Sequence, residues 1–369
     1  MVGGDVSDPV RVGIVGCGAI SGAYLKFSRE FPILQIEACS DVDQDKARQR
    51  ALEFEVPRVC SVDEVCHDPS IEIVLNLTVP RAHAEISLGA MAAGKHVYSE
   101  KPLAVSIEEG NEILTATRQK SLRVGCAPDT FMGAGFQTAR KLIDDGAIGR
   151  PVAFTAFMMC PGHEHWHPNP QFFYESGGGP MFDMGPYYLT ALLNFFGPIK
   201  RIGGAASIAI SERTTLTGAK ISVQTPDHVC GTIEFQSGVV GTIITSFATR
   251  FPQYETAQPI TIYGSEGTLK VPDPNHFDGM VHIRRKDDSE FQVVPSPFHT
   301  GYGRSVGLAE MAYAIRAGRP HRAGAEQALA VLEAMEGFLE SSKTGRAIEP
   351  QSSYERPQPM PHEPLWLSE

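Results

Sequence analysis

The sequence lacks the cysteine pairs of disulfide-rich and zinc-binding proteins and the long apolar runs of membrane proteins. Its seven cysteines are scattered, odd in number and mostly inside apolar runs, and none forms a Cys-x-x-Cys pair. This pattern argues against a disulfide framework and a structural zinc site, and it favours buried, reduced thiols. No apolar run approaches the roughly 20 residues that a membrane-spanning helix needs. We therefore expect no metal and no membrane partner.

An excess of basic residues is also missing. The chain has 32 Lys and Arg against 43 Asp and Glu, which gives a net charge of −11. Such a balance argues against nucleic acid or an anionic membrane surface as the main partner. The first ten residues lack both the basic region and the apolar run of a signal peptide. These absences together favour a cytoplasmic protein that acts on a small molecule.

The first third of the chain alternates short apolar runs with helical patterns. The predicted strands are Val10–Val15, Leu34–Ser40, Ile73–Leu77, His96–Ser99 and Arg123–Cys126. The predicted helices between them are Ile20–Phe31, Asp45–Phe54, Arg81–Ala93 and Glu108–Lys120. Strand–helix alternation with short connections is typical of an α/β fold with a doubly wound parallel sheet.

The pattern changes at about Pro151, where strands become longer and alternate apolar with polar residues. The predicted strands are Val152–Met159, His228–Phe235, Val239–Phe247, Ile260–Tyr263, Thr268–Val271, Val281–Arg285 and Phe291–Val294. The predicted helices are Met181–Phe195, Ser305–Ala317 and Ala325–Ser342. These runs predict an α+β domain with a large open, mostly antiparallel sheet. We divide the chain into domains at 1–127 and 128–348, followed by a proline-rich tail at 349–369 that should be extended.

A glycine-rich turn joins the first strand to the first helix. Gly16 permits the tight turn, and Gly18 lets the backbone approach a pyrophosphate. The N–H groups of the following Ala19 and Ile20 would then face the phosphate at the start of the helix. Ser21 stands where the dinucleotide-binding pattern has its third glycine, and a small residue there still allows close packing. The alternative is a glycine turn without a nucleotide.

Asp41 ends the second strand, 23 residues after Gly18. A carboxylate there accepts hydrogen bonds from an adenosine ribose and repels a 2′-phosphate. No arginine follows directly, so the sequence favours NAD, with NADP the less favoured cofactor. The alternative is that Asp41 caps the next helix, because Asp41 and Asp43 both precede it.

Other strand ends on the same edge carry further candidates. Lys101 lies in Glu100-Lys101-Pro102, where the proline must end the strand, and its ammonium could reach a carbinol that a nicotinamide oxidises. The loop after Ile73–Leu77 supplies the predicted cofactor-binding residues Thr78, Pro80 and His83, and Glu100 and Lys101 complete that set. Asp129, after the last strand of this half, should face the nicotinamide and the substrate.

In the second half, Asp183 and Tyr187 are four residues apart on a predicted helix and should share one face. Both stand among apolar residues, where an unpaired carboxylate is costly. One interpretation is a catalytic pair, and the other is a buried Asp–Tyr hydrogen bond in a helical core. Arg304 precedes another helix, and it either caps that helix or enters the substrate pocket.

A histidine-rich segment follows the first strand of the second half. Three histidines, His163, His165 and His167, alternate around Trp166. On a strand they would share one face and suggest a metal site. Gly162 and the neighbouring prolines favour a loop instead. We interpret it as a substrate loop, in which Trp166 stacks on a sugar face and one or two of the histidines bind hydroxyls; a polar surface loop is the remaining alternative.

The chain resembles the glucose–fructose oxidoreductase / inositol dehydrogenase / MocA (Gfo/Idh/MocA) family from about residue 10 to residue 348. The resemblance lies in the glycine turn, Gly94-Lys95-His96-Val97, Glu100-Lys101-Pro102, Gly146-Ala147-Ile148-Gly149, the segment from Gly177 to Tyr187 and Ser342-Lys343-Thr344-Gly345-Arg346. It implies a Rossmann domain followed by a domain whose open sheet commonly forms the oligomer interface, and hence a homodimer or homotetramer.

The resemblance also implies an activity. Members oxidise sugars, polyols or related cyclic alcohols, or reduce the ketones, with NAD(P), and the family lysine and aspartate correspond to Lys101 and Asp183. Many members carry histidine where this chain has Tyr187, whereas the glucose–fructose oxidoreductase and dihydrodiol dehydrogenase branches carry tyrosine there. The resemblance therefore implies that Tyr187 is the acid/base and that Lys101, Asp183 and Tyr187 form the catalytic group. A glycosidase that uses bound NAD transiently, and a non-catalytic ligand-sensing regulator, are the alternatives on this fold.

Overall fold

The computed structural model describes residues 8–250 and 258–368. Its strands are β1 (Val10–Val15), β2 (Leu34–Ser40), β3 (Arg58–Val59), β4 (Ile73–Asn76), β5 (His96–Ser99), β6 (Val124–Cys126), β7 (Pro151–Met159), β8 (Ile199–Ser207), β9 (Glu212–Thr214), β10 (Lys220–Ser222), β11 (His228–Phe235), β12 (Val240–Ser246), β13 (Ile260–Gly264), β14 (Gly267–Val271), β15 (Val281–Arg285) and β16 (Gln292–Val294). Its α-helices are α1 (Ser21–Ser28), α2 (Gln44–Phe54), α3 (Val62–His67), α4 (His83–Ala92), α5 (Ile107–Lys120), α6 (Ala134–Asp144), α7 (Gly179–Asp183), α8 (Gly185–Phe196), α9 (Val306–Arg316), α10 (Ala325–Thr344) and α11 (Leu365–Ser368).

The described residues form two compact units. The first contains residues 8–132, 298–329 and 360–368, and the second contains 133–250, 258–297 and 330–359. Residues 298–329, which the sequence-based division assigns to the second domain, belong to the first unit. Residues 360–368, which it assigns to the tail, belong to the first unit as well. Within the described ranges, no helix combines the length and apolar character needed to cross a membrane.

The first unit is built on a six-stranded parallel sheet in the order β3-β2-β1-β4-β5-β6. The inner strands are apolar along nearly their whole length, as strands buried on both faces must be. In β1, Val10, Val12 and Ile14 are fully buried, and β4 is buried at all four of its residues. The predicted doubly wound parallel sheet is confirmed, and its order changes direction at β1, where such folds bind their ligands.

The second unit contains an eight-stranded sheet in the order β16-β15-β14-β13-β7-β12-β11-β8. Its described pairs are antiparallel apart from β7 with β12, so the predicted mostly antiparallel sheet is confirmed. Burial alternates along β7, where Phe154, Ala156 and Met158 are buried and their neighbours are half-exposed. The buried side faces helices, as shown by Phe154 against Phe196 of α8, with 5.6 Å between ring centroids.

The tail differs from its prediction at its end. Residues 349–361 form no helix or strand, whereas Leu365–Ser368 forms a short helix, α11. Prolines are absent after Pro364, so the backbone N–H groups there can again donate. Leu365 is fully buried, its N–H donates to the Tyr302 hydroxyl over 2.9 Å, and Trp366 packs against Phe31. Tertiary packing therefore fixes this last turn.

Candidate active site

The glycine turn lies between β1 and α1, as predicted. Gly16 has φ +104°, and a Cβ there would meet the carbonyl carbon of Leu77 at 2.5 Å, so only glycine fits. Gly18 differs, because no described atom lies within 4 Å of the position its Cβ would take. The open space beside Gly18, at the N-terminus of α1, fits a pyrophosphate bound by backbone N–H groups.

Asp41 is tied to this turn. Its Oδ2 accepts a hydrogen bond from the Cys17 N–H at 2.7 Å, and its Oδ1 accepts one from the Asp43 N–H at 2.8 Å. The cap of α2 is Asp43, whose side chain accepts from the N–H groups of Asp45 and Lys46. Asp43 therefore fills the capping role, and the Asp41 carboxylate lies beside the glycine turn.

The sequence reasoning missed a cation at the same turn. Arg50, from α2, donates through Nε to the Ser21 hydroxyl at 3.1 Å and contacts the Gly18 carbonyl oxygen at 3.4 Å. It also forms an ion pair with Glu53 at 2.6 Å. No arginine directly follows Asp41 in the sequence, but the second turn of α2 brings Arg50 back to the glycine turn.

Lys101 follows β5 in a segment that buried polar groups hold in place. The neighbouring Glu100 is 8% exposed; its Oε1 accepts from the Tyr24 hydroxyl at 2.8 Å and its Oε2 from the Lys101 N–H at 3.1 Å. Burial, reinforced by the Glu100 charge, raises the pKa of Tyr24 well above its usual value, so this phenol remains a donor. The lysine backbone is thus fixed while its side chain is partly exposed.

His83 connects the loop after β4 to the segment after β5 through its two ring nitrogens. It is 1% exposed, with Nδ1 2.6 Å from the Pro102 carbonyl oxygen and Nε2 3.1 Å from that of Thr78. Burial lowers the pKa of His83, although both carbonyls oppose that effect. Thr78 donates its hydroxyl to Asn76 at 2.7 Å, and Pro80 begins an exposed 3₁₀ turn. Of the three predicted residues in this loop, Thr78 and Pro80 are accessible and His83 is buried.

Asp129, in the segment after β6, is fully buried, and its carboxylate contacts the first turn of α9. Its Oδ2 accepts from the Gly307 N–H at 3.0 Å, and its Oδ1 lies 3.5 Å from a guanidinium nitrogen of Arg304. Burial raises the pKa of Asp129, and Arg304 and the Gly307 N–H partly counter this. The structure therefore brings these two predicted substrate residues together as an ion pair.

In the second unit, Asp183 and Tyr187 do not share one continuous helix, so the prediction of Met181–Phe195 as a single helix is wrong. Asp183 ends α7, and α8 begins at Gly185. Pro186 explains the break, because it has no N–H to donate and its ring clashes with the carbonyl one turn earlier. Tyr187 remains in the first turn of α8 and is 6% exposed.

The histidine segment is a loop and not a strand. The metal alternative required the three histidines to share one face of a strand, so its structural basis is lost. The N–H groups of Trp166 and His167 both point to the His163 carbonyl oxygen, at 3.2 and 2.9 Å, as in a tight turn. Trp166 is 56% exposed and His165 is exposed, whereas His163 is buried. His163 Nε2 lies 3.4 Å from Oδ2 of Asp183.

Arg213 anchors this loop, and it too escaped the sequence reasoning. Its side chain is 2% exposed and forms ion pairs with Glu164 at 3.0 Å and Asp227 at 2.6 Å, and it donates to the Pro161 carbonyl oxygen at 3.0 Å. Although burial alone would raise the pKa of Glu164, hydrogen bonds from Tyr174 and Arg213 bring it below its usual range. The sequence signal was weak, because the three charges, Arg213, Glu164 and Asp227, come from three separate segments.

Two family models match consecutive parts of this chain. The oxidoreductase family model with an NAD-binding Rossmann fold matches residues 10–127, and the Gfo/Idh/MocA C-terminal domain model matches residues 136–270. The chain belongs to the Gfo/Idh/MocA oxidoreductase family. As a member of this family it uses a nicotinamide cofactor, NAD or NADP.

Curated Gfo/Idh/MocA relatives share modest identity with the chain. The 1,5-anhydro-D-fructose reductase of Ensifer adhaerens is 33% identical over 214 residues, which span 57% of this chain and 60% of that enzyme. The scyllo-inositol 2-dehydrogenase (NADP(+)) of Bacillus subtilis is 23% identical over 368 residues, covering 92% of this chain and 96% of that enzyme.

A solved Gfo/Idh/MocA structure confirms the fold. Levoglucosan dehydrogenase in complex with NADH and levoglucosan superposes with a TM-score of 0.81 at 21% identity. The likeness covers 93% of this chain and all of that one. At 21% identity this likeness shows the fold of the chain.

Proposed function

We propose that this protein transfers hydride between NAD and a hydroxyl, or the corresponding ketone, of a sugar, polyol or cyclitol. The observation that carries the proposal is the Lys101 segment, which Glu100, Tyr24 and His83 hold at the end of β5 in a nicotinamide-dependent family. The names of the relatives support the substrate class, since they include a D-xylose dehydrogenase, a 1,5-anhydro-D-fructose reductase and two inositol 2-dehydrogenases.

The cofactor supplies the acceptor or donor of hydride when bound. We assign its pyrophosphate to the backbone of Gly18, Ala19 and Ile20, where the N-terminus of α1 favours an anion. Asp41 is the residue for the adenosine ribose. Its carboxylate already accepts from the Cys17 N–H within the turn, so it is pre-oriented before any nucleotide arrives.

In this proposal Lys101, Asp183 and Tyr187 act together on the substrate oxygen. The Lys101 ammonium stabilises negative charge on that oxygen. In oxidation the Tyr187 phenolate takes the hydroxyl proton as hydride leaves for the nicotinamide, and in reduction the Tyr187 hydroxyl returns that proton to the oxygen. The Asp183 carboxylate orients the groups around it. Such a division of roles needs no metal, because the lysine charge substitutes for a Lewis acid.

The loop around Trp166 is proposed to bind the substrate body. Its indole is 56% exposed and could stack on the apolar face of a sugar ring. His165 and His167 flank it and offer ring nitrogens to hydroxyls. In the first unit, Arg304, held by its ion pair with the buried Asp129, is proposed as a further substrate contact. Since Arg213 holds the loop backbone, Trp166 and His165 are presented from a fixed base.

A panel of sugars, polyols and cyclitols tested with NAD and with NADP, read at the NADH absorbance, tests this function. We expect stoichiometric NADH release from at least one free cyclic alcohol. Hydrolysis of a glycoside without net NADH would instead identify the redox-assisted glycosidase. Ligand binding with no turnover across the panel would identify the regulator, and either result would replace the proposal.

A further inference from the structure

His163 is buried among aromatic rings, whereas a histidine that binds substrate directly should be accessible. It is 7% exposed, and the rings of Trp166, Phe173 and Phe247 surround it at centroid distances of 5.3, 4.4 and 4.5 Å. Its Nδ1 is buried and finds no hydrogen-bond partner in the described part of the chain. Leaving a buried polar atom unpaired costs on the order of 1–3 kcal/mol, so this ring orientation requires a compensating contact.

The compensating contact lies at the opposite side of the ring. His163 Nε2 is 3.4 Å from Oδ2 of Asp183, whose side chain is 23% exposed. The aromatic cage offers no acceptor for a proton on Nδ1. A neutral ring therefore carries its single proton on Nε2, the nitrogen on the side of the Asp183 carboxylate.

The backbone of this histidine is fixed independently of its side chain. The His163 N–H donates to the Tyr174 hydroxyl at 3.0 Å, and that hydroxyl in turn donates to Glu164. Glu164 is paired with the buried Arg213, which is also paired with the fully buried Asp227. A loop held in this way delivers the imidazole to one place, which is the requirement for orienting another group.

We propose that His163 is the positioning residue of Asp183: its Nε2–H holds the carboxylate at the end of α7 in one orientation. The inference rests on the proposed function, in which Asp183 orients the groups at the substrate oxygen. Asp183 is the last residue of α7 and α8 begins at Gly185, so its carboxylate lies at a helix end and not within a continuous helix.

Two replacements separate the donor from the packing. His163→Gln keeps an amide N–H close to the Nε2 position, and His163→Phe fills the aromatic cage without a donor. With the best alcohol of the panel, we expect His163→Phe to lower kcat by about tenfold or more with little change in KM, and His163→Gln to stay within about threefold of the parent. In an Asp183→Asn background, His163→Phe should lower kcat by less than about twofold, because residues acting as a unit are non-additive.

A measurement without substrate addresses the same contact. Long-range ¹H–¹⁵N NMR of the full-length protein should show His163 protonated at Nε2, and Asp183→Asn should shift that resonance. An Nδ1-protonated ring would overturn the inference, even if a variant failed to fold. Equal losses of kcat in the Gln and Phe variants would overturn it too, because packing alone would then explain them.

The proposed function and this inference fail in different ways. If Asp183→Asn retains the parent kcat, the proposed catalytic group is wrong. If Asp183→Asn loses at least about 10²-fold in kcat while His163→Phe retains the parent value, only the positioning role of His163 is wrong.

Discussion

At the scale of single residues, Glu100 shows how one carboxylate can shape a reactive segment without taking part in the reaction. Each of its oxygens accepts one hydrogen bond, one from a buried phenol of α1 and one from the backbone of the next residue. Both donors are neutral groups, the Tyr24 hydroxyl and the Lys101 N–H, and they tie the backbone of the lysine segment to α1.

The first prediction concerns the proposed catalytic group. Lys101→Ala should lower turnover by at least about 10²-fold, because the charge at the substrate oxygen is lost. NAD binding should change little, since its proposed contacts are at Gly18 and Asp41. Tyr187→Phe keeps the ring and removes the hydroxyl only, and the double variant should cost much less than the sum of the two singles.

Steady-state and single-turnover kinetics, together with NAD titration, check this prediction. Lys343→Ala is the matched control, since that side chain is 81% exposed and lies in the second unit. Near-normal turnover of Tyr187→Phe with hydride transfer rate-limiting would show that the tyrosine is structural. The proton acceptor would then be one of the loop histidines or solvent.

The second prediction is a preference for NAD over NADP. The Asp41 carboxylate repels a 2′-phosphate, and we expect Asp41→Asn to weaken the preference by about tenfold, which corresponds to about 1.4 kcal/mol. Asparagine keeps an acceptor for the Cys17 N–H, so the turn should persist. Removing the negative charge also exposes a bound phosphate to Arg50, the cation that contacts Gly18 and Ser21.

The ratio of kcat/KM for the two cofactors measures this preference. Asp43→Asn is the control, because it changes the neighbouring carboxylate while asparagine still caps α2. That variant should retain the parent ratio. A tenfold or larger preference of the unmodified protein for NADP would contradict the assignment of Asp41.

At the scale of elements, the strands of the first sheet could be predicted because local and tertiary signals agree. β1 and β2 have the predicted bounds, Val10–Val15 and Leu34–Ser40. β1 is apolar over most of its length, and β2 alternates Leu34, Ile36 and Ala38 with polar residues, so both patterns indicate a strand. β8 was missed because it contains Gly203 and Gly204, which weaken any strand pattern. A Cβ at Gly204 would lie 2.6 Å from the Phe338 carbonyl oxygen, so packing against α10 decides that strand.

The residues of the candidate site also fall into two groups, those that could be placed from the sequence and those that could not. Strand-end residues such as Lys101 and Asp41 follow from sheet geometry and could be placed from the sequence. Arg50, Arg213 and the approach of His163 to Asp183 depend on which turn of a helix or loop faces which neighbour. No short-range pattern encodes such choices, because they are settled by burial of charge and by the break at Pro186.

The third prediction concerns pH and the pairing of β5 with β6. Burial, with a contribution from Arg123, lowers the pKa of His96 to about 4, and the His96 Nδ1 accepts from the Arg123 N–H at 2.9 Å. The unfolded chain binds a proton near its ordinary value of about 6.5. Between those values the unfolded state binds more protons, so the free energy of unfolding should fall as the pH falls from about 6.5 to 4.

Thermal melts at pH 7, 5.5 and 4 check this dependence. His96→Asn keeps an acceptor near Nδ1 and cannot titrate, so it should lose less stability than the parent across this window. His165→Asn, at an exposed loop position, should retain the parent slope. Identical slopes for His96→Asn and the parent would show that another group causes the acid loss.

At the scale of the whole molecule, the eight-stranded sheet has two different faces. The side chains that alternate with the buried ones include Thr155 and Phe157 of β7 and Ile244 of β12, and these are half-buried. Val240 of β12 is 47% exposed and Tyr263 of β13 is 40% exposed. A partly apolar sheet face of this extent is a natural site for association.

The fourth prediction is therefore a homodimer or homotetramer assembled through this face. Light scattering at micromolar concentration should give a mass near two or four times the chain mass of 40.0 kDa. Ile244→Lys places a charge at the middle of the face and should shift the mass towards the monomer, because a buried unpaired ammonium is costly. Leu52→Lys, at a position 85% exposed on α2, is the control and should keep the parent mass. A monomeric parent would refute the prediction, and an Ile244→Lys variant of unchanged mass would move the interface to another surface.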